Sequence, residues 1–387
     1  MEGSRGAVLS ARVREGQGEM HGTLPIFARG RVRRGPTSDG KAPASPHPVR
    51  RGADRNLFQS RDRARLMLAI ALLGVTIPLL GAGSAGAKAC GGDVPCACGD
   101  TVVASTTLSG DLGICDRTAL RITQPVVLDC AGHTITGDDQ SNAKFGIEIH
   151  GVVGATVRNC RVTRFRRGIR IDGGSGNTVK DNESFANKYG IDLAGGTMRN
   201  VLKGNLVYDS RDEGIHLGES HRNRIVGNEV RYNKRENLYL LRSNGNLVKN
   251  NLLHHGGAAA LFVKHSSRNR FVHNTVRDTA LQLRGDSRNN AFENNYLKGE
   301  GYMIEAWQEP DGWTRPTGNT MTGDCIRKAD VCFRFVGASD NVATEVRTDG
   351  RCAPPTGSLL TLTDRGGQAS TGNAVTLAAD GCFDDPF

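Results

Sequence analysis

Arg170, Asp192, His216 and Tyr239 put a fixed cation, an acid, a titratable base and a phenol at one place in a repeated phrase. They stand 22, 24 and 23 residues apart, each the third residue of a four-residue unit with apolar second and fourth members. Proton transfer at a carbon beside a carboxylate needs such a set. Arg170 would neutralise the carboxylate, His216 would take the proton, and Tyr239 or Tyr189 would supply one. Asp192 would orient His216 or raise its basicity. Glu148, Phe262 and Gln282 hold the same place in other copies. Tyr189 comes just before the phrase, and Lys264 and Arg284 two residues after the row position. Aromatic and Arg side chains suit sugar faces and anionic groups, so these six residues are read as substrate-binding.

Two other readings use the same residues. Paired carboxylates can hydrolyse a glycosidic bond, and Asp172 with Asp192, or Asp212, Glu213 and Glu236, could form such pairs. Alternating Arg170, Asp192 and His216 could also be a charge ladder that only stabilises neighbouring strands, in a non-catalytic carbohydrate-binding or structural cell-surface protein.

The phrase runs Gly146-Ile-Glu-Ile149, Gly168-Ile-Arg-Ile171, Gly190-Ile-Asp-Leu193, Gly214-Ile-His-Leu217, Asn237-Leu-Tyr-Leu240, Ala260-Leu-Phe-Val263 and Ala280-Leu-Gln-Leu283, at spacings of 22, 22, 24, 23, 23 and 20. Weaker copies lie at Met303–Ala306, Phe333–Phe335 and Leu359–Leu362, and an earlier coil at Val126–Ile135. Alternation of this kind is the period of a half-buried strand. One unit cannot bury its own apolar residues, whereas stacked units bury Ile169, Ile191, Ile215, Leu238, Leu261 and Leu281 in one column. The expected fold is all-β, a single-stranded right-handed parallel β-helix of about ten coils with disulfide-rich ends. Its outer face would carry the row Glu148–Arg170–Asp192–His216–Tyr239–Phe262–Gln282 at about 4.8 Å per rung, continued by Glu305 and Arg334. A second phrase, Asn-x-apolar-x-x-Asn, recurs from Asn177/Asn182 to Asn289/Asn294. Those Asn columns are read as structural, through left-handed turns and side-chain hydrogen bonds.

On these residues the chain resembles NosD-like and pectin-lyase-like β-helix repeat proteins over about residues 100–375. The resemblance implies that the row and its bordering loops form a groove for an extended polysaccharide. Tyr189-Gly190-Ile191-Asp192 also resembles the opening half of the Tyr-Gly-(Phe/Ile)-Asp-Pro-His-Asp phrase of alginate C5-epimerases. Leu193-Ala194-Gly195 stands where that family has Pro-His-Asp, so His216, one rung on, would have to serve instead.

Composition bounds the rest. Hydrophobic residues make 37% of the 387, too few for a multi-span membrane protein, and the 50 glycines have no three-residue period. Residues 1–87 hold 14 Lys+Arg against 6 Asp+Glu, and residues 88–387 hold 36 against 34. The basicity therefore sits mainly in the leader, which argues against nucleic acid as a partner of the folded part. Residues 1–60 read as a disordered basic leader that belongs upstream of the true start, and 61–87 as a signal peptide. A Cys-rich N-terminal cap is expected over 88–125, the β-helix over 126–375 and a tail over 376–387.

All ten cysteines follow residue 87, which fits disulfides and an exported chain, secreted, periplasmic or at the cell surface. Short-range pairing would give Cys98–Cys115, Cys325–Cys332 and Cys352–Cys382. No metal ligands are assigned. Six Met and the single pair His254-His255 do not favour copper handling, and calcium is the one cofactor left open. The expected partner is a polysaccharide, bound by a monomer with no membrane span after signal cleavage.

Overall fold

The computed structural model describes residues 87–139, 144–350, 359–362, 369–378, 381–383 and 385. Positions 1–86, which hold the expected leader and nearly all of the expected signal peptide, lie outside the described residues. Among the described residues every element is a strand, and no helix is long and apolar enough to cross a membrane.

The chain coils through parallel ladders. One sheet has 13 strands; a 22-stranded sheet forms the other faces; Trp307–Glu309 and Gly312–Thr314 make a separate antiparallel hairpin. The extra rungs over the ten expected come partly from short strands at the N-terminal end, Ala89–Cys90, Asp100–Val102 and Leu120–Ile122, where the phrase is not recognisable. Segment 88–125, read as a cap, thus contributes strands to the ladders.

Register follows the repeat. Ile169, Ile191, Ile215, Leu238, Leu261 and Leu281 pair rung to rung and are all at most 1% exposed. The glycine that opens four of the phrases has a steric cause. A β-carbon at Gly168 would stand 2.3 Å from Ser184 Oγ and 2.6 Å from the Gly190 carbonyl, inside the coil.

The Asn columns are hydrogen-bonded ladders. Asn205 donates from its backbone N and its Nδ2 to Asn228 Oδ1, at 2.9 Å each, and Asn228 repeats the pattern onto Asn251. Two expectations need correction. The left-handed residue is not the ladder Asn but the one before it, as at Asp181, Arg199, Arg222 and Arg268. For the same reason the ladder residues of the coil expected at Asn289 and Asn294 are Asn290 and Asn295, while Asn289 and Asn294 take the left-handed positions. The turn residue reorients the chain so that the next residue's side chain points inward along the coil.

Disulfides join Cys90–Cys96, Cys98–Cys115, Cys130–Cys160 and Cys325–Cys382. Cys98–Cys115 is as expected. Cys325–Cys332 and Cys352–Cys382 are not formed, since Cys325 and Cys382 bond to each other. Cys325 opens a strand of the 22-stranded sheet and Cys332 leads into Phe333–Val336 of the other, so a corner of the coil separates them. Cys332 is also disulfide-bonded, and Cys352 lies outside the described residues.

Candidate functional site

The row forms in the 13-stranded sheet. Backbone register places Arg121, Glu148, Arg170, Asp192, His216, Tyr239, Phe262, Gln282, Met303 and Arg334 on successive rungs. Glu305 is not in it. It pairs with Arg284, two residues along the strand, because the phrase at this rung begins at Gly301 rather than Met303.

At the centre, His216 Nδ1 lies 2.8 Å from Asp192 Oδ1. Asp192 also accepts from Arg167 Nε and Arg170 Nη1. Burial works against its charge, but His216, Arg167 and Arg170 outweigh that and hold the carboxyl below its ordinary range. Asp192 is therefore an ionised acceptor toward which His216 donates from Nδ1, the arrangement that in a neutral ring puts the lone pair on Nε2. The expected open row is corrected here. Asp192 is 1% exposed and Glu148 is 4% exposed, because longer side chains on adjacent rungs cover them. Glu148 is held by Arg121 at 2.8 Å.

Arg170 is not a free cation. Its second nitrogen bonds Asp172 Oδ1 at 3.0 Å, so two carboxylates already neutralise it. Asp172 and Asp192 thus meet on one guanidinium rather than across an open gap. Arg167 escaped the sequence reading. Strict alternation would turn residue 167 inward, but Gly168 and Ile169 both face the core, and that slip brings Arg167 out beside Asp192.

Aromatic rings border the dyad. His216 is 6.0 Å from Tyr189 and 5.4 Å from Tyr239 between ring centroids, and Tyr239 stacks on Phe262 at 5.0 Å. Arg284 covers Phe262 from the next rung at 5.6 Å, leaving Phe262 only 7% exposed, so it is not the free platform expected. Burial, aided by Glu213 and Asp212, pushes the Tyr189 hydroxyl up to about 12. Burial, aided by Glu236 and Glu213, does the same for Tyr239. Both remain proton donors at neutral pH.

Glu213 and Glu236 follow Tyr189 in the neighbouring column and are each 4% exposed. Burial raises both: Asp212 reinforces it at Glu213, and Arg235 opposes it at Glu236. Arg235, about half exposed, reaches Asp212, Glu213 and Glu236 at 3.3–3.5 Å. Gly218 opens space on the other flank of His216.

Further along, Lys264 Nζ sits 4.1 Å over the Trp307 ring and Arg284 5.3 Å from it. His265 Nε2 ties the hairpin to the coil through Glu309 at 2.8 Å. Both tryptophans of the chain, Trp307 and Trp313, line a cleft of about 500 Å³ with Arg284, Glu305 and Arg334. The Nε groups of Arg284 and Arg334 are buried there without hydrogen-bond partners. The sequence signal for this hairpin is the lengthened interval of 29 residues between the ladder residues Asn290 and Asn319.

Known proteins fit this architecture. The fold is similar to that of the A-module of mannuronan C-5 epimerase AlgE4 from Azotobacter vinelandii, at 9% identity and TM-score 0.47, covering 75% of this chain and 90% of that one. It is also similar to an alginate lyase from Paenibacillus sp. str. FPU-7, at 14% identity and TM-score 0.43, covering 73% and 93%. The Dettilon tailspike protein gp208 is a third, at 15% and 0.49, covering 68% and 60%. Among curated proteins no sequence match was found. The sequence profile described as "Right handed beta helix region" matches residues 122–217, 145–297 and 199–344. Those matches span more than half of the 387 residues and coincide with the ladders described above, so the chain belongs to the right-handed β-helix family.

Proposed function

We propose that the outer row binds an acidic polysaccharide and that His216 removes the C5 proton of a uronate residue in it, giving elimination or epimerisation. The observation that carries this reading is the Asp192–His216 pair held between two protonated tyrosines. Asp192 fixes the tautomer that leaves Nε2 free as a base. His216 Nε2 takes the proton and the electron pair moves into the carboxylate. In elimination the C4–O bond then breaks, and Tyr239 or Tyr189 protonates the leaving oxygen. In epimerisation a tyrosine returns a proton to C5 from the opposite face. With Arg170 engaged, Arg235, about half exposed, is the cation that would turn from Asp212, Glu213 and Glu236 to the substrate carboxylate, and burial, which raises Glu213 and Glu236, weakens their hold on it. Lys264, Arg284, Gln282, Trp307 and Trp313 extend the binding surface with charge and ring faces.

Disulfides at both ends fit an oxidising compartment, so the protein acts outside the cytoplasm, as a monomer, after removal of its leader. Calcium is a candidate cofactor through the polymer, not through an assigned ligand set.

The test is deuterium incorporation at C5 in heavy water, with ultraviolet absorbance for unsaturated ends, across alginate, polygalacturonate and hyaluronan. His216→Ala should lower either signal by about 10²–10⁴-fold while leaving the fold and binding intact. A second reading, binding without turnover, is favoured by the closed Arg167–Asp192–Arg170 cluster. It predicts affinity on the same polymers and no isotope exchange.

A further inference from the structure

The 22-stranded sheet carries a second group of chemistry-bearing residues, away from the row. Strand Leu252–His254 pairs with Thr275–Arg277, so the two residues that follow, His255 and Asp278, fall on adjacent rungs. Both take left-handed turn conformations, with φ of 51° and 73°, as does Tyr232 in the preceding coil at 53°. This corner of the coil repeats turn by turn, so the backbone fixes where the three side chains emerge.

Their atoms converge. His254 Nδ1 and His255 Nδ1 are 2.7 Å apart, and His255 Nδ1 is 3.3 Å from Asp278 Oδ2. One oxygen and two nitrogen ligand atoms all lie within 4.8 Å of one another. The rings are braced: Tyr232 stacks on His255 at 4.6 Å and meets His254 edge-on at 6.0 Å. The far nitrogen of His254, Nε2, lies 3.4 Å from Glu229 Oε1, and Glu229 is anchored by Arg231 at 2.8 Å. A carboxylate on the remote ring nitrogen is the usual outer partner of a metal-bound histidine, because it fixes the tautomer that presents the lone pair to the ion.

We propose that His254, His255 and Asp278 bind one divalent transition-metal ion of the zinc class, with a fourth position open to solvent. Two imidazoles and one carboxylate suit zinc, cobalt or nickel, whereas calcium and magnesium favour six or more oxygens. Two nitrogens bound tetrahedrally to one such ion stand about 3.3 Å apart, so the ring nitrogens, 2.7 Å apart here, part by about 0.6 Å when it enters. His255 and Asp278 are about half exposed, which leaves the entry path clear. The adjacency His254-His255 alone shows two ligands; the third comes from the next coil, 23 residues on, and only register reveals it.

A comparable triple, Glu148, His150 and Asp172, provides the control. There Arg121 holds Glu148 and Arg170 holds Asp172, so cations already occupy the carboxylates.

The experiment is titration of the full chain, without an affinity histidine tag, with Co²⁺ read by visible absorption and with Zn²⁺ read by calorimetry. The expected result is one Co²⁺ per chain, displaced by Zn²⁺. Binding should be lost in His255→Ala, weakened at least about tenfold in Asp278→Asn, and unchanged in His150→Ala. Circular dichroism of the metal-free variants checks that the coil is intact, and Asp278→Asn serves if His255→Ala does not fold. Absence of stoichiometric Co²⁺ or Zn²⁺ binding overturns the assignment. So does binding that survives both His255→Ala and Asp278→Asn, or that disappears in His150→Ala.

Discussion

Gly218 lies flat against the imidazole of His216: a β-carbon there would stand 3.0 Å from Cε1 and 3.6 Å from Nε2. Gly218 has ordinary backbone angles, so a larger residue is not barred by the fold, only by the ring beside it. Gly218→Val should push His216 off its Asp192 contact and cut turnover by roughly tenfold to a hundredfold, because small displacements of a reacting group are costly. The melting temperature should stay near that of the parent. Full activity in Gly218→Val would mean that the free edge of His216 is not where substrate sits.

The ladder can be broken in one place. Asn228 Oδ1 takes two donors from Asn205, and its Nδ2 gives to the Leu202 carbonyl and to Asn251. Asn228→Ala orphans the buried Asn205 backbone N–H and the Nδ2 hydrogen aimed at Asn228, while Nδ2 keeps its bond to the Val179 carbonyl; each orphaned donor costs about 1–3 kcal/mol. Chemical denaturation should show a loss of several times the effect of an exposed control such as Lys203→Ala. Equal losses for the two would remove the ladder from the account of stability.

Asp324 occupies the last ladder position described in its column, where an Asn stands in the coils before it. It accepts from Asn295 and, at 2.5 Å, from the Tyr302 hydroxyl. Burial raises its carboxyl from 3.8 to about 7, against the pull of Tyr302 and Asn295. The native state therefore keeps a proton that the unfolded chain gives up near pH 4. Stability contributed by this group is complete below that value, falls as pH rises toward about 7, and is level above it. Asp324→Asn removes the titration, so its thermal stability should hold steady over the window in which the parent declines. Calorimetry from about pH 4 to 8 on both proteins decides it; parallel curves would show that the carboxyl does not titrate there.

Trp307 tests the far end of the proposed groove. Trp307→Ala removes the face under Lys264 and should weaken binding of acidic oligosaccharides by about tenfold, in line with an aromatic contact of roughly 1 kcal/mol or more. The rate at saturating substrate should be little changed, since Trp307 lies several rungs from His216. A fall in that rate with affinity intact would place Trp307 nearer to the chemistry than the binding role allows.

The coil was legible in the sequence because its cause is local. Alternation sets which face Ile191 and Leu238 take, and the repeat length sets what each stacks on. That same logic placed Asp192 beside Arg170 and His216. It did not show that Asp192 would be sealed beneath them, since that depends on the reach of Arg167, which the slip at Gly168 turns outward. A lone row position looks open, which suggests a substrate role for Arg170; its neighbours Asp172 and Asp192 close it. The pairing of Cys325 with Cys382 was out of reach for another reason: proximity in the coil is set by rung and corner, not by distance along the chain.

The asparagine ladders have a consequence for how such a protein can change. Each ladder residue grips the backbone of the turn before it, and the coil takes up small differences in length: the interval is 23 residues from Asn246 to Asn269 and 21 from Asn269 to Asn290, with both contacts at 3.0 Å. The interval from Asn290 to Asn319 absorbs its surplus in the hairpin 307–314, outside the coil, and the next ladder contact forms at 2.9 Å as if nothing had been added. A surplus of this size is accommodated by bulging outward over the row. The floor of the groove is therefore fixed while its walls are exchangeable, and grafting a different hairpin between these two asparagines is the route by which specificity could be rebuilt without refolding the rod.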